Sequence, residues 1–590
     1  MTNLPCNSQE EIPQSLISNI EGRKNTSLNG KWQIIIDPME AGRSDWRAYY
    51  RNETPKSNTD FKEYAFTNSK TLKVPGDWNS QSSRLYYYEG LIWYKKDFAL
   101  QKNPGKRYFI HFGAVNYKAI VYINGIKCGK HEGGFTPFNF EITAQLKTGN
   151  NFIIVDVDNK RSPDAIPAMN FDWWNYGGIT RDVNLVELPE TFIENYFIQL
   201  KKNSGNEITG WLKLNGSRGS QPIEIQIPQA NINIKTTTNA EGYCSFHTMA
   251  QLHLWFPENP FLYMIQLKTE TDSVKELIGF RTIEVKGQDI LLNGNSVFLR
   301  GICLHEEIPQ EERRAWSEAD DLKLLGEARE LGCNFIRLSH YPYNENILRL
   351  ADKMGILVWE EIPLWQNINF SNAAVFENAQ NQLSEMIMRD QNRASVIIWS
   401  VANETPINDV RNKFLRSLVS ETRQQDNTRL ISAASNQTSY NNGKVIVKDP
   451  LGEVLDVIGI NEYIGWYSPW QSSPEETKWE SIYDKPLIMT EFGAEAKAGN
   501  HGDATVAYSW SEEFQEEFFK KQFRMLKNIP FLRGTCPWIL ADFKSPGRQL
   551  PKFQDNWNRK GLLSDKGIKK KAWFVVHQFY KEKIRKTAGF

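Results

Sequence analysis

Two glutamates, each at the end of a short apolar run, are the residues best placed to do chemistry. Glu404 ends the run 396–404, and Glu491 ends the run 486–491. Both runs are rich in β-branched and aromatic residues, which is typical of strands buried in a parallel sheet. Carboxylates at the carboxyl ends of nonadjacent barrel strands can face each other across a pocket. A glycosidase needs this arrangement, with one carboxyl as acid/base and the other as nucleophile.

Glu360 and Glu361 also end an apolar run and are rival carboxylates. A doubled acid of this kind is more typical of a hydrogen-bonding support, so Glu404 and Glu491 stay the predicted catalytic pair. The sequence contains no HExxH motif and no tight His, Cys and carboxylate cluster at metal spacing. It therefore predicts no catalytic metal and no cofactor, and it leaves a bound Na⁺ or Ca²⁺ open.

The composition argues against several classes of partner. The 590 residues include 70 Lys plus Arg and 70 Asp plus Glu, so the net charge is zero and nucleic acid is not expected as a partner. No run of 18 apolar residues is present, so no membrane span is predicted. Cys303, Cys333 and Cys536 are predicted to be buried thiols, whereas Cys6 is either an idle thiol or a lipidated cysteine.

The spacing of apolar residues divides the chain into a tail and three domains, because a chain this long needs more than one core. Residues 1–29 are a polar N-terminal tail. Short strands separated by turns predict a jelly-roll β-sandwich over 30–189 and an immunoglobulin-like β-sandwich over 190–284. Strand–helix alternation predicts a (β/α)8 TIM barrel over 285–590, so the fold class is multidomain β plus α/β.

Eight apolar segments are the candidate barrel strands, and amphipathic helices lie between most of them. This count matches the eight βα units of a TIM barrel. The segments are 298–304, 335–339, 357–362, 396–401, 430–435, 457–463, 486–490 and 534–540.

Five local motifs follow the order of these domains. They are FDWWNYGGITR at 171–181, LRGICLHE at 299–306, RLSHYP at 337–342, WSVANE at 399–404 and TEFG at 490–493. Together with the domain order, they resemble glycoside hydrolase family 2 from about residue 30 to residue 585. The resemblance implies that the three domains act together, with a loop of the jelly roll closing one wall of the barrel pocket.

The resemblance implies roles for the residues at the catalytic centre. Glu404 is the acid/base, Glu491 is the nucleophile, and Asn403 is expected to hydrogen-bond the sugar 2-hydroxyl. Arg337, expected on a strand that neighbours Glu491, would supply a cation that keeps the nucleophile ionised. Tyr463 would donate a hydrogen bond to Glu491.

Further residues are predicted to bind the sugar. Asp172 would reach across from the jelly roll, and His340 is expected to be the best ligand contact among the pocket wall residues. Besides Asn403 and Tyr463, the predicted substrate-binding residues are Asp172, His340, Asn461, Tyr467, Trp538, Asn558 and Lys560.

Two segments indicate an acidic sugar. GINEYIGWY at 459–467 resembles the Asn-x-Tyr-x-Gly-Trp-Tyr segment of β-glucuronidases, and Asn558-Arg559-Lys560-Gly561 resembles their Asn-x-Lys motif. An ammonium and an amide donor can hold a uronic acid by charge-assisted hydrogen bonds. The loop upstream, 546–557, departs from the bacterial glucuronidase pattern.

The expected activity is therefore a retaining exo-glycoside hydrolase that removes terminal β-linked glucuronic acid from an oligosaccharide or conjugate by double displacement. The alternatives are a β-galactosidase, β-mannosidase or galacturonidase with the same two glutamates, and a non-catalytic carbohydrate-binding protein. A homo-oligomer is possible. The periplasm is the expected location, with the cytoplasm as the alternative.

Overall fold

The computed structural model describes residues 16–587 except 58, 61, 218, 219 and 442, so Cys6 lies outside the described residues. The first domain is a β-sandwich, as predicted, with sheets of six and four strands. Alternate residues of these strands, such as Trp32, Tyr94 and Ile110, fill the space between the sheets. In sheet order the strands are Thr71–Val74, Gly30–Ile36, Leu91–Leu100, Gly149–Asp158, Lys118–Ile123 and Ile126–Glu132, then Asn25–Ser27, Val183–Pro189, Lys106–Phe112 and Phe138–Glu141.

The described end of the N-terminal tail packs against this sandwich. Ile17 and Ile20 are buried in a small apolar cluster that includes Phe109. Strand Asn25–Ser27 pairs with Val183–Pro189 in antiparallel register. Leu16 and Leu28 are buried as well, so four apolar side chains hold this part of the tail on the protein.

The second domain is a smaller sandwich of three and four antiparallel strands, in agreement with the predicted immunoglobulin-like fold. Its core includes Tyr196, Ile225 and Ile265. The strands are Phe192–Leu200, Glu207–Asn215 and Tyr243–Met249 in one sheet, and Ile232–Thr237, Pro222–Ile227, Tyr263–Lys268 and Ser273–Ile278 in the other.

The third domain is a closed barrel of eight parallel strands, which confirms the predicted TIM barrel. In barrel order the strands are Leu299–Leu304, Phe335–Leu338, Leu357–Glu361, Val396–Asn403, Leu430–Ser435, Ile458–Asn461, Leu487–Glu491 and Leu532–Thr535. The long helices around them are Glu318–Leu331, Glu345–Met354, Ala373–Asp390, Asp409–Gln425, Glu512–Leu526 and Lys571–Thr587. The predicted thiols Cys303, Cys333 and Cys536 are free and buried.

The eighth strand differs from its prediction over 534–540. It ends at Thr535, and the apolar residues that follow do not form a regular strand. Trp538 N donates to Phe492 O, and Leu540 N donates to Cys303 O, so this irregular segment stays between the end of the seventh strand and the first strand. An apolar run alone does not distinguish a buried strand from a buried loop.

A buried ion pair joins the first sandwich to the barrel. Arg181 Nη2 lies 3.0 Å from Glu306 Oε2, and both side chains are almost fully buried. Arg314 Nη2 lies 2.5 Å from the same carboxylate oxygen. This junction holds the loop that carries Asp172 over the carboxyl ends of the barrel strands.

Candidate active site

Glu491 is the last residue of the seventh strand, at the carboxyl end of the barrel, and its side chain is buried. Arg337 Nη1 donates to Glu491 Oε1 at 2.7 Å, and Tyr463 Oη donates to Oε2 at 2.8 Å. Burial raises the pKa of Glu491; Arg337 opposes this rise, and the charge of Glu404 adds to it. Both carboxylate oxygens are therefore held in place before any sugar binds.

The predicted position of Arg337 on a strand next to that of Glu491 is wrong. Arg337 lies on the second strand, and the eighth and first strands separate it from the seventh. Its long side chain crosses the interior of the barrel, where inward-pointing residues of different strands meet. The contact with Glu491 itself is present.

Glu361 anchors Arg337 from the third strand. Arg337 Nη2 donates to Glu361 Oε1 at 2.9 Å and Nε donates to Oε2 at 3.1 Å, a paired geometry that fixes the guanidinium plane. His340 Nδ1 lies 2.8 Å from Glu361 Oε1. Burial alone would raise the pKa of Glu361, but Arg337 and His340 lower it overall. This carboxylate supports the site, as the sequence indicated for the doubled acid.

Glu404 follows the fourth strand, and amide donors hold both of its carboxylate oxygens. Asn461 Nδ2 donates to Oε1 at 2.9 Å, and Gln366 Nε2 donates to Oε2 at 3.0 Å. Glu404 and Gln366 each have a positive φ, 52° and 50°. Such a conformation is uncommon for residues other than glycine and is often found at functional sites.

The side-chain amide of Asn403 is only partly hydrogen-bonded by the protein. Its Oδ1 accepts from Arg337 Nη2 at 2.8 Å and from Asn461 Nδ2 at 3.1 Å. Its Nδ2 is buried without a hydrogen-bond partner among the described residues. A buried amide donor without a partner is costly, so a ligand oxygen is a natural acceptor for it.

Aromatic rings form one wall beside Glu491. The rings of His340 and Trp538 stack with centroids 4.9 Å apart. Trp173, from the jelly-roll loop, lies 5.5 Å from His340 by ring centroids. His340 Nε2 lies 3.9 Å from Glu491 Oε1, so this wall reaches the carboxylate of Glu491.

The other end of the pocket gathers Asp172, Tyr467, Asn558 and Lys560. Lys560 Nζ donates to Tyr467 Oη at 2.8 Å, and Asn558 Nδ2 donates to Asp172 Oδ2 at 3.2 Å. Lys560 N donates to Asn558 Oδ1 at 3.1 Å. Lys560 Nζ also lies 5.8 Å from the ring centroid of Tyr463, whose hydroxyl contacts Glu491. Tyr463 therefore lies between the carboxylate of Glu491 and the ammonium of Lys560.

Three family models match the chain over nearly its whole length. The glycosyl hydrolases family 2 sugar binding domain matches 25–189, the central family 2 domain matches 191–281, and the family 2 TIM barrel domain matches 283–583. The chain belongs to glycosyl hydrolases family 2.

Individual relatives in family 2 share about a quarter of their residues with the chain. A β-glucuronidase from Sus scrofa is 27% identical over 95% of this chain and 90% of its own length. A β-glucuronidase from Paenibacillus borealis is 27% identical over 92% and 94%. A solved structure of Ruminococcus gnavus β-glucuronidase with D-glucaro-d-lactam superposes with a TM-score of 0.81 at 25% identity, covering 96% of this chain and 99% of that chain.

A second solved structure, a galacturonate-bound GH2 β-galacturonidase from Eisenbergiella tayi, superposes with a TM-score of 0.79. It is 25% identical and covers 97% of this chain and 99% of that chain. The same family 2 fold thus includes enzymes named for two uronic acids that differ in the configuration at C4.

Three residues at this family 2 site were not predicted from the sequence. Gln366 contacts Glu404, as described above. Arg548 Nη2 donates to Asp172 Oδ2 at 2.6 Å and to Tyr467 Oη at 3.2 Å. Glu495 Oε1 lies 3.5 Å from Lys560 Nζ. The one available signal was that the loop 546–557, which carries Arg548, departs from the glucuronidase pattern.

The part of the chain that the structure describes contains no group of three or more His, Cys, Asp and Glu arranged to hold a metal ion. None of its helices is long and apolar enough to cross a membrane.

Proposed function

We propose that this family 2 glycoside hydrolase is a retaining exo-β-glucuronidase, which removes terminal β-linked glucuronic acid from oligosaccharides or conjugates. The observation that best supports the proposal is the buried ammonium of Lys560, which lies 5.8 Å from the ring centroid of Tyr463, the residue whose hydroxyl donates to Glu491. Lys560 Nζ contacts Tyr467 and Glu495, and because an ammonium has three donors it can also hold a sugar carboxylate by a charge-assisted hydrogen bond. The curated β-glucuronidases that align along most of the chain support the same substrate.

The first half of the reaction forms a covalent intermediate. The carboxylate of Glu491 attacks the anomeric carbon, the glycosidic bond breaks, and Glu404 gives its proton to the departing oxygen. Arg337 and Tyr463 hold the Glu491 carboxylate, one on each oxygen. The open Nδ2 donor of Asn403 suits the sugar 2-hydroxyl, a contact that strengthens in the transition state.

The second half releases the sugar. Glu404, now ionised, takes a proton from water as the water oxygen attacks the anomeric carbon, and the ester bond to Glu491 breaks. Two displacements return the β configuration. A separation of about 5–5.5 Å between the two carboxyl groups belongs to this mechanism and stays a prediction.

A β-galacturonidase is the second candidate. A β-galacturonidase would use the same carboxylates and the same cation. The superposition on the Eisenbergiella tayi enzyme supports it as an alternative function. The two substrates differ only at C4, and Lys560 and Asn558 would bind the carboxylate of either one.

The test is parallel hydrolysis of 4-nitrophenyl β-D-glucuronide, β-D-galacturonide, β-D-galactoside and β-D-mannoside, with the Glu491→Gln variant as control. Glucuronide turnover that disappears in the variant, with the β anomer formed first in a proton NMR time course, supports the proposal. Preferred galacturonide turnover selects the second candidate. Turnover of only the neutral sugars would overturn the uronate assignment of Lys560. Action in the periplasm rather than the cytoplasm, and assembly into a homo-oligomer, stay predictions.

A further inference from the structure

Arg548 lies outside the family motifs, yet it contacts three other parts of the pocket. It binds Asp172 from the first sandwich, Tyr467 from the loop after the sixth strand, and Glu495 from the loop after the seventh, whose Oε1 lies 3.4 Å from Nη1. Its own loop is held by Asn556 N, which donates to Arg548 O at 2.8 Å. The guanidinium is thus fixed where these segments meet.

Arg548 and Lys560 share the same partners. Both donate to Tyr467 Oη, at 3.2 Å and 2.8 Å, and both lie within 3.5 Å of Glu495 Oε1. Because Tyr467 Oη accepts from two cations, its own O–H is left to donate elsewhere. Burial would raise the pKa of Tyr467, but Lys560 and Arg548 lower it overall, so its hydroxyl is a strengthened donor.

We propose that Arg548 is a specificity-determining residue that makes this end of the pocket acceptable to an acidic sugar. The inference rests on the proposed function. Two carboxylates, Asp172 and Glu495, face two cations, Arg548 and Lys560, so the group is neutral. Without Arg548, two carboxylates would face one ammonium, and a sugar carboxylate would meet a net negative charge.

A purely structural role does not account for the placement of Arg548. The sandwich and barrel are already joined by the buried pair of Arg181 and Glu306. The Arg548–Asp172 pair is partly exposed, with side chains 23% and 28% accessible, and such pairs contribute little to stability. Partial exposure does leave Arg548 within reach of a ligand.

The experiment uses a selectivity ratio, defined as kcat/KM for 4-nitrophenyl β-D-glucuronide divided by kcat/KM for 4-nitrophenyl β-D-glucoside. We expect Arg548→Gln to lower this ratio about 10- to 100-fold, mainly through a higher KM for the glucuronide. Arg533→Gln is the matched control, since it breaks an Arg–Asp pair of similar exposure, 25% and 31%, with Asp289 at the opposite end of the barrel. It should leave the ratio unchanged.

A double variant tests the charge argument itself. Adding Asp172→Asn to Arg548→Gln restores neutrality, so the ratio should recover at least in part even if both rates fall. If glucoside turnover is too slow to measure, competitive inhibition by D-glucaro-δ-lactam and by the uncharged D-glucono-δ-lactam replaces the two rates. Only the charged lactam should lose affinity in Arg548→Gln.

Equal losses for charged and neutral ligands, or a ratio within about twofold of wild type, would overturn the inference. A wild-type enzyme that hydrolyses no uronide overturns the proposed function instead, so the two failures are distinguishable. Melting temperatures of the two arginine variants should agree within a few degrees. A large loss in Arg548→Gln alone, with an unchanged ratio, would assign this residue to structure only.

Discussion

The two ends of the sugar pocket are built in different ways. At the catalytic end, Arg337, Glu361 and Glu491 lie on barrel strands, so strand register fixes their positions. At the uronate end, Asp172 comes from another domain, and Arg548 and Lys560 come from the chain after the last strand. The first end depends on backbone geometry, and the second depends on loops that meet only when the domains are packed together.

The arginine–carboxylate pairs of the two ends differ in burial, although Lys560 and Glu495 at the uronate end are each only 1% exposed. Arg337 and Glu361 are 0% and 1% exposed as side chains, whereas Arg548 and Asp172 are 23% and 28% exposed. Removing one partner of a buried pair leaves an uncompensated charge, but a partly exposed group regains water. Substitution of Arg337 or Glu361 should therefore reduce rate and stability, whereas substitution of Arg548 or Asp172 should mainly change the choice of substrate.

The largest expected effect is at the two glutamates. Glu491→Gln and Glu404→Gln should each lower kcat on 4-nitrophenyl β-D-glucuronide by about 10³- to 10⁵-fold, because each removes an essential group. Added azide should restore turnover only in Glu404→Gln, where the good leaving group still allows the ester to form and azide needs no general base. Formation of β-glucuronyl azide by Glu491→Gln instead would reverse the two roles.

Arg337→Gln tests the dependence on buried charge. It leaves Glu361 and Glu491 without their cation, so we expect about 3–5 kcal/mol lower stability and a large fall in kcat. Thermal unfolding and steady-state kinetics measure the two effects. Arg429→Gln is the matched control, because Arg429 forms an equally buried pair with Asp426 away from the pocket. Arg429→Gln should lose stability and keep kcat. A comparable loss of kcat in Arg429→Gln would show that the fall in kcat of Arg337→Gln comes from the loss of any buried ion pair and not from the position of Arg337 at the catalytic end.

Glu307, which lies next to the uronate end, should make the stability of the folded protein depend on pH. Its Oε2 accepts from Lys544 N at 3.0 Å, at the start of the loop that carries Arg548. Burial raises the pKa of Glu307 from 4.5 to about 8. Between these values the folded state holds a proton that the unfolded state has lost, so this contribution to stability falls as pH rises.

Glu307→Gln should therefore raise the melting temperature, relative to wild type, more at pH 8 than at pH 5. The difference corresponds to a few kcal/mol, at about 1.4 kcal/mol per pKa unit. Glu311→Gln, at a carboxylate 60% exposed, should show no such trend. Equal shifts at both pH values for Glu307→Gln would show that this carboxyl does not titrate with folding.

Lys560→Met should act on selectivity. We expect kcat/KM for the glucuronide to fall about 10- to 100-fold, while the value for the glucoside stays within about threefold. Lys544→Met is the control in the same loop region, since its buried ammonium lies 2.9 Å from Tyr86 Oη and not in the pocket. If Lys560→Met lowered kcat/KM equally for the glucuronide and the glucoside, Lys560 would not determine substrate selectivity, and the uronate end would not differ from the catalytic end in this respect.

The catalytic end lies on barrel strands and the uronate end on loops, and for this reason the sequence predicted more residues of the first end than of the second. Glu404 and Glu491 were found because each ends an apolar run typical of a buried strand, and Arg337 was found because its motif resembles the second barrel strand of the family. The strand order around the barrel was needed to see that Arg337 reaches Glu491 across the interior. Arg548 is 376 residues from Asp172 along the chain. A local sequence pattern cannot predict such a contact, because the contact depends on how a loop packs against another domain.

The smallest expected effect on rate at the catalytic end is that of substituting Gln366. Its side chain donates to Glu404 Oε2, and its N donates to Asn403 O at 2.8 Å, so it positions the acid/base through two contacts. Gln366→Ala removes one neutral hydrogen bond, and a loss of about 0.5–1.5 kcal/mol corresponds to about 2- to 10-fold in rate.

The effect of Gln366→Ala should depend on the leaving group. A methyl glucuronide needs full protonation of its departing oxygen, so kcat/KM should fall by this amount; 4-nitrophenol leaves as a stable anion, so its glucuronide should be nearly unaffected. Gln437→Ala, at a glutamine that contacts Asn436, is the control. Equal losses on the two glucuronides would mean that Gln366 supports the local backbone and not the proton transfer by Glu404.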